Sequence, residues 1–415
     1  MSDPDPEVEL AVTALAAGGD GVARDEAGRV TFVPRTAPGD RVRVRLVKQT
    51  SSFARGELVD IVEASPVRVA PECEAFLRGC GGCHWQHVAR SAQLEAKQAI
   101  VAGALRGLHG LVVDPIADPC SPLHWRRRAR FHVSGGKLGL YAYGTNTVVP
   151  LAHEAGARDT VAPERSIASA GGAGAHCPQL EGPLDTAVAL IAGRTPPDGE
   201  LAVLLGHDGK IAVGVEHPWK GAAALIGKAG ITGVSAGNDS YGEPVIEVEP
   251  GLFGGPWSFQ QASTAGNAAL IALARAALGN GPGELLELHA GAGNFTRGFV
   301  ADGWTVTASD VTRPTKPING ATFLIGAADR VLAATSRVDA IVLDPPRAGA
   351  AEAIASIARL RPRTVVYVSC DPATLARDAS KLVAAGYRAE RAWPIDLMPQ
   401  TAHVEVVLRL YASGS

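Results

Sequence analysis

The 415-residue chain lacks several features that would settle its class at once. No apolar run approaches the roughly 18 residues of a membrane-spanning helix, so none is expected. The N-terminus, MSDPDPEVEL, is acidic and has no apolar signal core, which points to a cytoplasmic location. Positive charge is not in excess. The formal net charge is −3, so a nucleic-acid binder would have to gather its basic residues into patches. No internal repeat is apparent. Cysteines number only six, and in a reducing compartment they serve as thiols, metal ligands or nucleophiles rather than disulfides.

Hydrophobic residues make up 46% and charged residues 20%, enough for a packed core, and the length implies two or three domains. Residues 1–66 look all-β. Arg41, Arg43 and Arg45 alternate with Val42, Val44 and Leu46, a period of two that puts cations on one face and aliphatics on the other. Arg35, Lys48 and Arg55 extend the basic side of this small barrel, which is either an RNA-facing surface or an ordinary solvated one. Residues 67–250 hold a cysteine cluster, a helical stretch from Ala89 to Leu105, the basic run RRRARFHV (126–133) and an Ala- and Gly-rich loop at 155–175. From 251 to 415 short apolar runs alternate with helical segments: LLELH (285–289), TVTAS (305–309), DAIVL (339–343) and TVVYVS (364–369). That alternation marks a doubly wound parallel sheet. AHVEVVLRL (402–410) reads as an antiparallel addition.

Each of these four runs ends in conspicuous residues. Glu287-Leu-His-Ala-Gly-Ala-Gly-Asn-Phe295 follows the first. Gly291 and Gly293 allow a tight turn and close approach to a ligand. Thr296 stands where a dinucleotide-binding loop needs a third glycine. Asp310 ends the next run, where an acid can accept hydrogen bonds from ribose hydroxyls. DAIVL leads into Asp344-Pro-Pro-Arg347 and TVVYVS into Cys370-Asp-Pro372. Ligands bind at the carboxyl ends of such strands, so a cysteine there is a possible nucleophile; the alternative is a small buried apolar residue. Glu405 is flanked by Val404 and Val406, on a face away from the apolar side.

Cys73, Cys80 and Cys83 form C-x6-C-G-G-C, with glycines that free the backbone to aim two sulfurs at one metal. The fourth ligand is open among Cys120, Cys177, His84 and His87, and zinc is the generic reading, an iron–sulfur cluster the other. The run Trp125–His132 alternates poorly with apolar positions, but four arginines stand in it beside aromatics. Arginines neutralise phosphates and aromatics stack on splayed bases; a charged strand edge is the plainer account.

DPPRAG (344–349), YVSCDPATLARD (367–378) and DLMPQTAHVE (396–405) together resemble the RNA uridine-5-methyltransferase family. The resemblance covers nearly the whole chain. It implies an α/β multidomain fold: an N-terminal OB-like β-barrel of the TRAM type, a central iron–sulfur α+β domain, and a C-terminal Rossmann-like class I methyltransferase. It implies S-adenosylmethionine as cofactor and structured RNA, ribosomal or transfer, as partner. It implies Cys370 as nucleophile, Glu405 as base, and Gln260, His289, Gly291, Asp310 and Asp344 at the cofactor. It also implies a [4Fe–4S] cluster on Cys73, Cys80, Cys83 and Cys177, with ribosomal RNA the favoured substrate and zinc the alternative metal. A monomer with no membrane association is expected. The sequence departs from the family at His289 (usually aromatic), at Ala262, at Asp371 and at Ala327 and Ala328. A methyltransferase acting on an exocyclic amine would carry an aromatic after DPP, where Arg347 stands. The remaining alternative is a non-enzymatic RNA-binding protein with a degenerate methyltransferase domain.

Overall fold

The computed structural model describes residues 7–152 and 176–413; the Ala- and Gly-rich stretch 155–175 lies outside them. Two compact units emerge. One joins Met1–Val67, Ala89–Cys120 and Ala265–Ser415; the other joins Arg68–Val88 and Ser121–Thr264. This division differs from boundaries at 66/67 and 250/251. The segment Ala89–Cys120 leaves the middle of the chain because Val112–Val113 pairs with the strand Tyr387–Ile395 and Lys97 bonds the loop after it.

In the first unit, the strands Glu7–Leu15, Gly21–Arg24, Val30–Val33, Arg41–Gln49 and Phe53–Glu63 close into a barrel. Val42, Val44 and Leu46 fill its core with Leu10, Val12, Ala23 and Val33. The arginines point outward as expected, but each meets acids on neighbouring strands. Arg41 pairs with Glu9 at 3.3 Å and Glu63 at 3.8 Å, Arg43 with Asp60 at 3.2 Å, and Arg45 with Glu7 at 3.2 Å. The row is therefore charge-balanced.

The same unit contains an eight-stranded sheet. Its order is Ala321–Ile325, Thr305–Asp310, Glu284–Leu288, Ala340–Leu343, Thr364–Ser369, Glu405–Ala412, Tyr387–Ile395 and Val112–Val113. The first five are parallel, and Glu405–Ala412 runs antiparallel to both of its neighbours. Successive residues of one strand feed opposite cores: Leu286 and Leu288 pack with Val101, Leu105 and Ile341, and Leu285 with Leu270, Ala274 and Val306. Burial on both faces is why these strands read as continuous apolar runs.

The second unit is built on a seven-stranded sheet, ordered Asp239–Gly242, Ile231–Ala236, Ile211–Val215, Gly199–Leu205, Arg128–Ser134, Lys137–Tyr141 and Val148–Pro150. The helix Gly182–Ala192 covers one face with Leu184, Val188 and Ile191. The basic run proves to alternate strictly. Trp125, Arg127, Ala129, Phe131 and Val133 are buried, while Arg126, Arg128, Arg130 and His132 are not. An inward arginine hid this period. Arg127 is 2% exposed, pairs with Glu249 at 2.6 Å and donates to the carbonyls of Gln261 and Val248. A buried guanidinium needs such partners.

Candidate active site and cysteine cavity

Hydrogen-bond register brings the residues at the strand ends together. Leu288 pairs with both Ser309 and Leu343, so His289, Asp310 and Asp344 begin the same carboxyl edge. Tyr367 pairs with Leu343, which puts the end of the Thr364–Ser369 strand beside Asp344. Antiparallel pairing sets Ser369 against Val406, and the residues just past that last pair are Cys370 and Glu405, near enough for the Glu405 charge to act on the thiol. The two residues are distant in sequence, and the final β-ladder alone makes them neighbours.

The glycine loop takes the backbone form that its residues allow. Gly291 and Gly293 have φ of 55° and 89°, a region costly for other residues. The Gly291 N–H donates to Asp310 Oδ2 at 3.0 Å, and Asp310 Oδ1 accepts from Thr312. Thr296, in place of the third glycine, donates its hydroxyl to Glu287 Oε2 at 2.7 Å. Burial pushes the Glu287 carboxyl up to about 8. His289 also has a left-handed backbone, with φ of 59°. Burial lowers its pKa, and its buried Nε2 has no hydrogen-bond partner among the described residues.

Cys370 is half-buried, at the elbow between its strand and the helix Pro372–Ala384. Asp371 caps that helix, accepting from the N–H groups of Ala373 and Thr374, a role suited to a short acid side chain. The thiol is pushed up to about 11, first by burial and then by the charges of Glu405 and Asp344; Arg347 opposes them. Glu405 is 6% exposed. Its carboxyl is raised by burial and then by Asp344, with Arg347 again opposing, and Asp344 is raised by burial. The outward orientation read from alternation fails here. Val404 and Val406 are buried too, because the strand lies inside the sheet.

Two clamps hold these groups. Asp378 Oδ2 accepts from Tyr367 Oη and from the Ala350 N–H, both at 2.9 Å, while Arg377 donates to the Ala348 carbonyl at 2.9 Å. The loop after Asp344 is thereby tied to the helix after Cys370. Fully buried Asp396 accepts from Lys97 at 2.6 Å and Arg90 at 2.5 Å, and Gln93 and Gln400 bond reciprocally. These contacts fix the loop leading to His403 and Glu405. The Arg347 guanidinium reaches the His403 ring at 3.1 Å. Sequence reasoning missed this second clamp: Asp396 and Gln400 stood in a recognised motif, but their partners lie about 300 residues earlier. Gln260 belongs to the second unit. It is 5% exposed, and its Nε2 has no partner among the described residues.

Cys73, Cys80, Cys83 and Cys177 line one cavity in the second unit, together with Phe76, Leu140, Phe131 and Leu151. Cys120 belongs to the first unit, its thiol directed at the Leu397 carbonyl, and neither His84 nor His87 lines the cavity. As the side chains stand, no three His, Cys, Asp or Glu among the described residues are grouped tightly enough to hold a metal ion. The chemistry of the donor set nevertheless suits one. The Cys83 thiol is pushed up to about 11, chiefly by burial and further by Cys73 and Cys80; Cys177 rises to about 12 by burial and then Cys83. Four thiolates in an apolar cavity repel one another unless a cation lies among them. Gly81 and Gly82 serve close approach rather than unusual φ. A Cβ on Gly81 would lie 2.9 Å from the Tyr141 carbonyl, and one on Gly82 2.5 Å from Leu140.

Residues 6–59 match the TRAM domain family, and residues 329–412 match the tRNA (Uracil-5-)-methyltransferase family. An uncharacterized RNA methyltransferase of Gloeobacter violaceus is 31% identical, with 98% of this chain and 96% of the relative covered. A 23S rRNA (uracil(1939)-C(5))-methyltransferase, RlmD, of Alkalilimnicola ehrlichii is 31% identical over 97% of this chain and 96% of its own. Among solved structures, the Pyrococcus abyssi tRNA (uracil-54, C5)-methyltransferase in complex with S-adenosyl-L-homocysteine superposes with a TM-score of 0.71. It is 19% identical and covers 97% of this chain and 99% of its own, which speaks to the fold.

Proposed function

Since the chain belongs to the RNA uracil-5-methyltransferase family, we propose that it methylates carbon 5 of a uridine in structured RNA through a covalent bond to Cys370. The observation that carries this reading is that the last pair of the antiparallel ladder, Ser369 with Val406, brings Cys370 and Glu405 to the same strand end, with Asp344 and Arg347 acting on both. Carbon 5 of uracil is a weak nucleophile. Addition of the Cys370 thiolate to carbon 6 turns the ring into an enolate with carbanion character at carbon 5. S-adenosylmethionine, when bound, would supply an electrophilic methyl group to carbon 5, its methyl–sulfur bond breaking to leave S-adenosylhomocysteine. Glu405 then removes the carbon 5 proton, the carbon 6–sulfur bond breaks, and the thiolate is released. Arg347 is the cation that favours the ionised forms of both Cys370 and Glu405.

For the cofactor, Gly291 offers the close backbone approach, Asp310 the carboxylate for ribose hydroxyls, His289 its unpartnered Nε2, and Asp344 the acid bordering cofactor and base. The buried, unpartnered Gln260 amide is likewise suited to a ligand, since leaving such a group unsatisfied costs about 1–3 kcal/mol. The four cavity cysteines hold a [4Fe–4S] cluster in this reading, with zinc the alternative. Its role is to brace the second unit, since methyl transfer by this route moves no electrons. Ribosomal RNA is the favoured substrate, as for the Alkalilimnicola relative. The protein acts as a cytoplasmic monomer in three functional segments, 1–66, 67–250 and 251–415. Among the described residues no helix is long and apolar enough to cross a membrane. The full-length relatives are named as methyltransferases, which favours this reading over a degenerate RNA-binding protein.

The test is to map 5-methyluridine in ribosomal and transfer RNA from cells with and without the gene. One site should disappear with the gene and return when purified protein and S-adenosylmethionine are added to that RNA. Unchanged methylation at every site would overturn the reading.

A further inference from the structure

The outward face of the strand Arg128–Ser134 carries Arg128, Arg130 and His132 at every second position, and each lies against an aromatic ring. Arg128 Cζ sits 5.5 Å from the centre of Phe259, and Arg130 Cζ 5.6 Å from that of Trp257. His132 stacks on Tyr141 with centroids 3.7 Å apart and planes 15° from parallel. The rings come from different parts of the chain, yet they form one file along a single strand.

In register across the sheet, Arg130 is followed by Ala202 and then Gly214, both buried. A Cβ on Gly214 would come within 2.6 Å of the Trp257 ring, so the glycine is what allows that ring to lie on the sheet. Phe259 is 71% exposed, an unusual cost for a large apolar side chain whose ring contact is the Arg128 guanidinium. The charge on this face is also poorly balanced. Burial, and after it the charges of Arg130 and Arg126, hold the Arg128 pKa down, and its buried Nε has no hydrogen-bond partner among the described residues. The acid on this face is Glu200, 3.6 Å from Arg130 and largely exposed.

We infer that this file of two arginine–ring pairs and one His132–Tyr141 stack is a stacking platform for unpaired nucleotides of the substrate RNA. Exposed rings accept bases face to face, and the guanidiniums between them neutralise the phosphates linking those bases. An RNA duplex keeps its bases stacked inside and would gain only the phosphate contacts. The inference rests on the RNA methyltransferase reading and assigns the platform to binding, apart from methyl transfer.

The test uses the full-length protein and its variants Phe259→Ala, Tyr141→Ala and Arg130→Gln, with binding of a fluorescein-labelled oligouridylate strand and of an RNA duplex read by anisotropy. Methylation of the full RNA substrate is measured alongside. Each ring substitution should weaken single-strand binding by about 5- to 150-fold, raise KM for RNA to a similar degree, and leave duplex binding nearly unchanged. Arg130→Gln should weaken both ligands and flatten the salt dependence by about one phosphate contact. Trp257→Phe should retain affinity while reducing the tryptophan quenching on strand binding, which separates stacking from a folding defect. Wild-type affinity for the strand in both ring variants would overturn the inference, and so would equal losses on strand and duplex. Failure of the wild-type protein to methylate any RNA would count against the methyltransferase reading, and the strand-binding measurement would still decide the platform.

Discussion

Cys370 and Cys83 are both pushed up to about 11, with burial the largest cause in each. Their neighbours differ. Around Cys370 stand two acids and an opposing arginine; around Cys83 stand other cysteines and Arg126. The first setting can pass a proton: an acid with a raised pKa sits at the same strand end as the thiol, and Arg347 stabilises both ionised forms. In the second, the Gln86 side chain and Arg126 oppose the rise while the other cysteines add to it, and under the proposed function a metal centre would relieve the gathered thiolate charge. Burial is the largest cause in both settings, so the proposed roles of nucleophile and ligand rest on the neighbours.

The largest expected effect separates the two sites outright. Cys370→Ala should lower methylation on the order of 10⁴-fold or more and leave the visible absorbance of the purified protein intact. Loss of colour in this variant would erase the distinction. Next is Glu405→Gln, expected to slow turnover by ~10²–10⁴-fold. Because the base acts after the carbon–sulfur bond forms, the protein–RNA adduct should accumulate and appear as a slower band on a denaturing gel. A variant equally slow with no adduct would place Glu405 earlier in the reaction.

The converse substitution is Cys177→Ser. The brown colour of anaerobically purified protein should disappear, while methylation per folded molecule falls by about tenfold or less, since no electron transfer is required. A colourless wild-type protein with stoichiometric zinc would replace iron with zinc at the same four residues. The smallest effect concerns pH. Cys370 and Glu405 must both lose protons to act, and burial raises both, the carboxyl to about 8 and the thiol to about 11, so kcat/KM should climb with pH between those two values. Arg347 lowers both. Its replacement by alanine removes that help and should move the rising limb to higher pH by ~0.5–1 unit. A limb that moves to lower pH would reverse the role given to Arg347.

Much of the first unit was legible in the sequence, because a strand buried on both faces and a strand-end motif are local patterns. The runs 285–289, 305–309, 339–343 and 364–369 became parallel strands, and Arg41, Arg43 and Arg45 point outward as their alternation required. What the arginines face was not legible. Glu7, Glu9, Asp60 and Glu63 neutralise the row from flanking strands, and a ladder partner leaves no mark on the strand it pairs with. The run at 126–133 failed for the opposite reason. Its period was real, but Arg127 occupied an inward position that pattern reading reserves for apolar residues, and only its bond to Glu249 makes that placement tolerable. Glu405 misled in the same way, since its surroundings depend on which strands flank it.

The sequence by itself determined the kinds of chemistry present: a glycine loop, acids and a cysteine at strand ends, a cluster of thiols, and arginines beside aromatics. Each is written in a few consecutive residues whose backbone freedom or side-chain chemistry is intrinsic to them. The tertiary structure decided which of these groups act on one another. It brought Cys370 and Glu405 to one strand end through an antiparallel ladder, placed Cys177 rather than Cys120 as the fourth thiol of the cavity, and laid Trp257 and Phe259 against arginines more than a hundred residues away. Such pairings follow from strand order and register, which are set by the whole core at once.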